Sequence, residues 1–318
     1  MKAAFARQVW DWVEASQTIG ISGHTGPDGD AIGSSCALAL ALRGLGKDVY
    51  LLAEPCTAVL HEIPGWETAG ETAPACDLFF ALDCGDAGRL GIARPVFEAA
   101  SRRVCIDHHR SNSGFADLSY IDPEASSTSE LVGDLLTEWG LPLTREVAAA
   151  LYIGMLHDTG GFRHSCTHPS TLRLAARCME AGIPFTEIQE RQMYNQTYPQ
   201  LKLLGLALEK AQLLCGGRLL WSAVTQEEMQ EQGGDSKDLD RVVGTLKNVF
   251  GVRLALFFYE KAAGEVKASL RSDGTVDVSV LAQRRGGGGH IRAAGCTLRG
   301  TMEQAVATFL PEAVKSLE

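Results

Sequence analysis

Largely apolar runs that end on carboxylates and imidazoles constrain this 318-residue chain more than any other feature. The run Thr18–Ser22 leads into His24-Thr-Gly-Pro-Asp28-Gly-Asp30. Leu78–Leu82 leads into Asp83-Cys-Gly-Asp86, and residues 103–106 lead into Asp107-His108-His109. Together with residues 49–53, these runs read as strands buried on both faces, and helix-like segments at 2–17 and 30–45 alternate with them. That alternation predicts an α/β fold on a doubly wound, mostly parallel sheet. Ligands of such sheets bind beyond the carboxyl ends of the strands, where His24, Asp83 and the 107–109 triplet fall.

Further along, Ser127-Thr-Ser-Glu130 has capping-box spacing and predicts a helix to Trp139. Residues 144–157 read as a buried helix ended by Asp158 and two glycines, with two more helices over 169–181 and 184–194. The segment 195–199 reads as a joint that starts a linking helix running to about Leu214. After Gly216-Gly217 the pattern restarts, with strands at 219–224, 252–259, 265–271 and 294–298. Helices are expected at 240–249, 278–284 and from Met302 onward. The expected organisation is a metal-binding domain over 1–194, a linker helix over 195–214 and a smaller α/β domain over 215–318.

Composition narrows the function. With 45% hydrophobic and 21% charged residues, the chain is that of an ordinary globular protein, and its length favours two domains. No apolar run reaches the ~20 residues of a spanning helix, and no long apolar stretch follows the N-terminus. Nine scattered cysteines without a Cys-x-x-Cys pair read as reduced thiols. These features predict a cytoplasmic protein without a membrane partner. Residues 1–204 hold 15 Lys+Arg against 25 Asp+Glu, whereas residues 205–318 are neutral. Long duplex nucleic acid is thereby excluded as a ligand, since no large basic footprint exists. A short phosphorylated ligand is compatible, and the oligomeric state is open, a homodimer included.

The four motif segments together point to a pair of divalent ions. Asp-Gly-Asp alone is most often a turn, a lone strand-end Asp a cap, and a His pair a packed residue. Their joint occurrence favours metal. The loop with Gly26, Pro27 and Gly29 can aim His24, Asp28 and Asp30 at one point, with the two carboxylates serving different ions. Asp83 is placed to bridge, and His108 with Asp158 to complete the second ion. One imidazole and several carboxylates per ion suit Mn²⁺, with Mg²⁺, Co²⁺ or Zn²⁺ as substitutes.

In these motifs the chain resembles the DHH phosphoesterases, named for the Asp-His-His triplet, over nearly its whole length. The run Gly286–Gly289 with His290-Ile-Arg-Ala-Ala-Gly295 is similar to the associated DHHA1 domain. The compact length resembles the oligoribonuclease branch that also dephosphorylates 3′-phosphoadenosine 5′-phosphate. The resemblance implies an active site in the cleft between the domains. It implies one Mn²⁺ on His24, Asp28 and Asp83 and another on Asp30, Asp83, His108 and Asp158. It leaves His109 to meet the phosphate and gives Asp107 the task of orienting a histidine ring.

Two metals about 3.5–4 Å apart can hold a water in line with phosphorus and neutralise the developing charge, with no covalent protein intermediate. Arg163, five residues past Asp158, is a candidate for the same phosphate. In the second domain Arg271, Ser272, Gly287, Gly288, Gly289 and His290 are candidates for gripping the nucleotide, because glycine lets backbone N–H groups approach an anion and arginine binds phosphate bidentately. The expected substrates are short oligonucleotides and phosphorylated nucleotides. A cyclic di-AMP or pApA phosphodiesterase is the rival enzyme. A catalytically silent nucleotide sensor is the rival of another class.

Overall fold

The computed structural model describes residues 2–317. The chain divides into two compact units, one up to Asn195 and one from Gln196 onward.

In the first unit the elements run α1 (Ala3–Glu14), β1 (Thr18–Ser22), α2 (Gly29–Gly44), β2 (Asp48–Leu52), β3 (Ala69–Gly70), β4 (Leu78–Leu82), α3 (Arg94–Ala99), β5 (Arg102–Asp107) and β6 (Leu118–Ile121), followed by the helices α4 (Thr128–Glu138), α5 (Arg145–Asp158), α6 (Pro169–Glu180) and α7 (Phe185–Gln189). The strands pair in parallel in the order β3-β2-β1-β4-β5-β6. The order reverses between β1 and β4, and the crevice at such a switch point is where open parallel sheets bind ligands. His24 follows β1 and Asp83 follows β4.

Residues of β4 are all buried because the strand is covered on both faces. Leu78, Phe80 and Leu82 join the core under α2, α4 and α5. Phe79 and Ala81 point the other way, into a cluster with Leu90 and Phe97. The period of two explains why this strand reads as continuously apolar. The two helices nearest the site cross closely: a Cβ on Gly33 of α2 would stand 2.6 Å from the Ala150 carbonyl oxygen of α5.

The second unit begins with α8 (Tyr198–Glu209) and β7 (Gln212–Leu214), then β8 (Leu219–Val224), α9 (Gln226–Glu231), α10 (Val242–Lys247), β9 (Leu254–Ala262), β10 (Glu265–Ser272), α11 (Val278–Gln283), β11 (Gly288–His290), β12 (Ala293–Arg299) and α12 (Met302–Lys315). Its sheet runs β11-β12-β10-β9-β8-β7 and is antiparallel except for the β8–β9 pair. Leu254, Leu256 and Phe258 of β9 face one core, and Ala255 and Phe257 face the other.

Three sequence expectations change. The segment expected to be a linking helix to Leu214 is a shorter helix, α8, followed by a strand, and Leu203 and Ala207 are buried in a core of the second unit. The glycine run, for which no element was expected, ends in the edge strand β11, paired with β12. The Ser127 hydroxyl accepts the Glu130 N–H as expected, but the Glu130 carboxylate accepts from Ser126 and Thr171. No helix among the described residues is long and apolar enough to cross a membrane.

Candidate metal centre

Asp28 is the N-cap of α2, its Oδ1 accepting the N–H groups of Asp30 and Ala31. That leaves Oδ2, which lies 3.9 Å from Nε2 of His24. Asp30, in the first turn of the helix, is fully buried. Its carboxylate receives the backbone N–H groups of Thr128 at 2.6 Å and Ser129 at 2.9 Å. The positive end of α4 therefore holds this anion in place.

Asp83 sits just past β4 with a left-handed backbone, φ 51°, which is costly for a residue with a Cβ and is found where surrounding structure imposes it. Its Oδ2 is 3.7 Å from His24 Nε2, and its Oδ1 is 3.6 Å from His108 Nε2. The Thr128 hydroxyl donates to the same Oδ1 at 3.1 Å. Asp158 closes α5, and its Oδ2 stands 3.0 Å from His108 Nε2. A carboxylate at a helix C-terminus opposes the helix dipole, so this placement serves something other than helix stability.

These groups fit divalent metals by distance and by tautomer. Two atoms each about 2.0–2.2 Å from one ion stand roughly 3–4 Å apart, which is the range found for His24–Asp28, His24–Asp83, His108–Asp83 and His108–Asp158. Possible ligand atoms of His24, Asp28 and Asp83, and those of Asp30, His108 and Asp158, form two close groups. Nδ1 of His24 faces the Thr25 carbonyl oxygen at 2.9 Å, and Nδ1 of His108 faces that of Ala125 at 3.4 Å. A proton on each Nδ1 would leave the lone pair of each Nε2 to an ion placed between it and the carboxylates.

The electrostatics agree. Burial, and then the charge of Asp158, push the Asp30 carboxyl up to about 7. Burial, followed by the charges of Asp30, Asp28 and Asp158, holds the Asp83 carboxyl well above the usual range. Burial pulls the His108 imidazole down, but its hydrogen bond to Asp158 and the surrounding carboxylates outweigh that and carry it up to about 10. Crowded carboxylates that resist shared ionisation are relieved by a cation.

His109 is arranged differently. Its Nδ1 is 3.5 Å from Asp83 Oδ1 but only 2.7 Å from Asp107 Oδ1. Asp107 is fully buried, and its Oδ1 also accepts the backbone N–H groups of His108 and His109. Asn112 donates to Asp107 Oδ2 at 2.7 Å. The desolvation of Asp107 is outweighed by its hydrogen bonds with His109 and Asn112, so its carboxyl titrates below the usual range. The histidine that Asp107 orients is thus His109. Thr128 and Asn112 were not singled out from sequence: nothing local marks a threonine 45 positions from Asp83, or an asparagine five past Asp107, as its partner.

Arg163 is exposed, and its Nε donates to the Gly160 carbonyl at 3.0 Å. It makes no contact with the cluster among the described residues. In the second unit, half-buried Arg271 donates from Nη1 to its neighbour's carbonyl, Leu270 O. Burial lowers its guanidinium, and the carboxylate of Asp240 opposes that shift. Gly288, Gly289 and His290 are exposed on the edge strand. Gly287 and Gly289 are required sterically, since a Cβ would lie 2.3 Å from the Gly295 oxygen and 2.4 Å from the Ala293 oxygen respectively. Ser272 is corrected: it is 6% exposed, and its hydroxyl is committed to the Val276 carbonyl and the Gly274 N–H, so it ties a turn rather than facing a ligand.

Fold and cluster define a two-unit α/β protein with a carboxylate–imidazole centre suited to paired divalent ions at a sheet switch point. Residues 18–155 match the DHH family, N-terminal domain, and residues 216–318 match the DHHA1 domain. The bifunctional oligoribonuclease and PAP phosphatase NrnA of Thermus thermophilus is 35% identical over 93% of this chain and 88% of its own length. The protein of the same name from Bacillus subtilis is 28% identical over 88% of this chain and 89% of its own. Among solved structures, an exopolyphosphatase-related protein from Bacteroides fragilis superposes with a TM-score of 0.91 at 27% identity, covering 99% of this chain and 96% of that one. The chain belongs to the DHH family, with DHH and DHHA1 domains, and the two curated relatives are hydrolytic phosphoesterases.

Proposed function

We propose that this protein is a dinuclear-metal hydrolase that releases mononucleotides from short oligoribonucleotides and removes the 3′-phosphate of 3′-phosphoadenosine 5′-phosphate. The observation that carries the reading is the carboxylate of Asp83, one oxygen of which faces His24 and the other His108. The similarity to two oligoribonuclease and PAP phosphatases supports the substrate class. His24, Asp28 and Asp83 would hold one ion, and Asp30, Asp83, His108 and Asp158 the other. Their mixture of imidazole and carboxylate suits Mn²⁺, with Mg²⁺ or Co²⁺ as substitutes. When bound, such a pair supplies Lewis-acid charge for the phosphoryl oxygens and the attacking water.

The chain's own residues orient and move protons. Thr128 and Ser129 keep Asp30 in place, and Thr128 keeps Asp83 in place. Asp107 accepts the Nδ1–H of His109 and so leaves Nε2 as the ring atom that exchanges a proton. Nε2 takes the proton released by the attacking water and passes it to the leaving oxygen as the P–O bond breaks, so that phosphorus gains the hydroxyl and the leaving group departs protonated. Arg271, His290 and the backbone of Gly287–Gly289 hold the nucleotide, and Arg163 is a further phosphate contact that requires movement of its exposed side chain. Nine unpaired cysteines support a cytoplasmic setting.

The test is turnover of labelled RNA dimers to pentamers with Mn²⁺, beside 3′-phosphoadenosine 5′-phosphate and cyclic di-AMP. Mononucleotides and inorganic phosphate are expected. Activity on cyclic di-AMP alone would establish the rival enzyme, and tight binding without product would establish a sensor.

A further inference from the structure

Asn112 belongs to none of the metal-binding motifs, yet it is 9% exposed and every polar atom of its side chain is engaged. Its Nδ2 donates to Asp107 Oδ2 at 2.7 Å and to the Cys84 carbonyl at 3.0 Å, and its Oδ1 accepts the Gly114 N–H at 2.8 Å. One amide therefore joins the end of β5, the end of β4 and the loop before β6. Asp107 carries the His109 ring, and Cys84 directly follows Asp83, the residue held in a left-handed backbone.

We propose that Asn112 is a positioning residue that locks the Asp107 carboxylate, and through it the Nδ1-protonated orientation of His109, so that His109 Nε2 faces the leaving oxygen of the substrate. The proposal rests on the hydrolase reading above for the direction of Nε2, but the clamp itself is a matter of geometry. A carboxylate held on one oxygen alone can swing about its Cβ–Cγ bond. With Oδ1 receiving three N–H groups from the 108–109 turn and Oδ2 receiving Asn112, that rotation is blocked from both sides. The amide is the right group for this place, because it presents a donor to the carboxylate and, on its other side, an acceptor to Gly114 without adding charge.

A structural role alone would slow all substrates alike. A clamp on the proton donor penalises only those whose leaving oxygen needs a proton. The experiment compares wild type, Asn112→Ala and the isosteric Asn112→Asp, in mildly alkaline buffer with Mg²⁺. Two substrates are used: an RNA dinucleotide and a p-nitrophenyl ester of a mononucleotide, whose leaving group departs unprotonated. kcat on the dinucleotide is expected to fall on the order of 10–100-fold, the usual effect of removing an outer hydrogen-bond partner, with less than about threefold loss on the nitrophenyl ester. In parallel, ¹⁵N NMR of the His109 ring is expected to show Nδ1 protonated in the wild type and mixed tautomers in both variants. Equal loss on the two substrates, or an unchanged His109 tautomer, overturns the proposal. Should the wild type cleave neither substrate, the hydrolase reading fails, and the tautomer comparison still decides whether Asn112 governs His109.

Discussion

At the carboxyl end of the parallel sheet, Asp30, Asp83 and Asp107 are almost wholly excluded from water, whereas at the edge of the mixed sheet Gly288, Gly289 and His290 are all exposed. The first region concentrates negative charge and fixes each side chain with donors: two backbone N–H groups on Asp30, the Thr128 hydroxyl on Asp83 and the Asn112 amide on Asp107. The second offers backbone and a few cations, and its geometry is set by close strand approach rather than by hydrogen-bonded side chains. Charge placed against charge demands preorganisation, because each buried carboxylate lacking a partner or a cation costs desolvation energy. Backbone presented at a sheet edge demands only the absence of Cβ atoms.

Perturbations should separate the two regions. The largest effect is expected for Asp83→Ala, which removes the carboxylate facing both histidines. Turnover should fall by roughly 10³-fold or more, given that the residue would serve two ions whose electrostatic stabilisation is usually the largest catalytic term. Circular dichroism should remain that of the wild type, and the rise in melting temperature on adding Mn²⁺ should disappear. Retained turnover would break the assignment of the first region.

Next comes a pair of alanine substitutions in the glycine run. Gly287→Ala places a methyl 2.3 Å from the Gly295 oxygen, whereas Gly288→Ala meets nothing within 4 Å. The first should cost about 1–3 kcal/mol, the usual range for forced overpacking, and the second much less. Chemical denaturation reads the difference, and equal costs would mean that close approach does not set this edge.

Smaller again is Arg271→Ala, expected to raise KM for nucleotide substrates about tenfold, or ~1.4 kcal/mol, while sparing a small artificial phosphodiester. If both substrates suffer alike, the second region does not hold the nucleotide.

The smallest effect concerns Asp77, outside both regions, which accepts the N–H groups of Gln17 and Thr18 and the Thr18 hydroxyl. The backbone hydrogen bonds of Thr18 and Gln17, then the hydroxyl, hold its carboxyl below the usual range. A depressed folded value gives stability above the unfolded value that is lost as pH falls through the folded one. Asp77→Asn should therefore be slightly less stable near neutrality, with the difference closing in acid melts.

Much of the first unit was legible in order along the chain. The bounds of β1 and β4 coincide with their apolar runs, and the expected metal residues His24, Asp28, Asp30, Asp83, His108 and Asp158 stand at or beside the ends of strands or helices, whereas Arg163, expected at the phosphate, lies away from the cluster. The edge strand β11 and the strand β7 were not legible, because three residues are too few to show alternation, and in β11 two of them are glycine. Ser272 misled for another reason: a serine after an arginine at a strand end looks like a phosphate contact until the turn at Val276 is seen to consume its hydroxyl.

By itself the sequence determined the chemistry available here: which carboxylates and imidazoles exist, and that they lie at or near the ends of buried elements. Covalent order fixes such facts through local periodicity. Only the tertiary structure decided the partnerships, since Thr128 reaches Asp83 across 45 residues and the α4 N-terminus reaches Asp30 across 98. Hydrogen bonds of that span depend on how helices pack over the sheet, and no stretch of neighbouring residues records it.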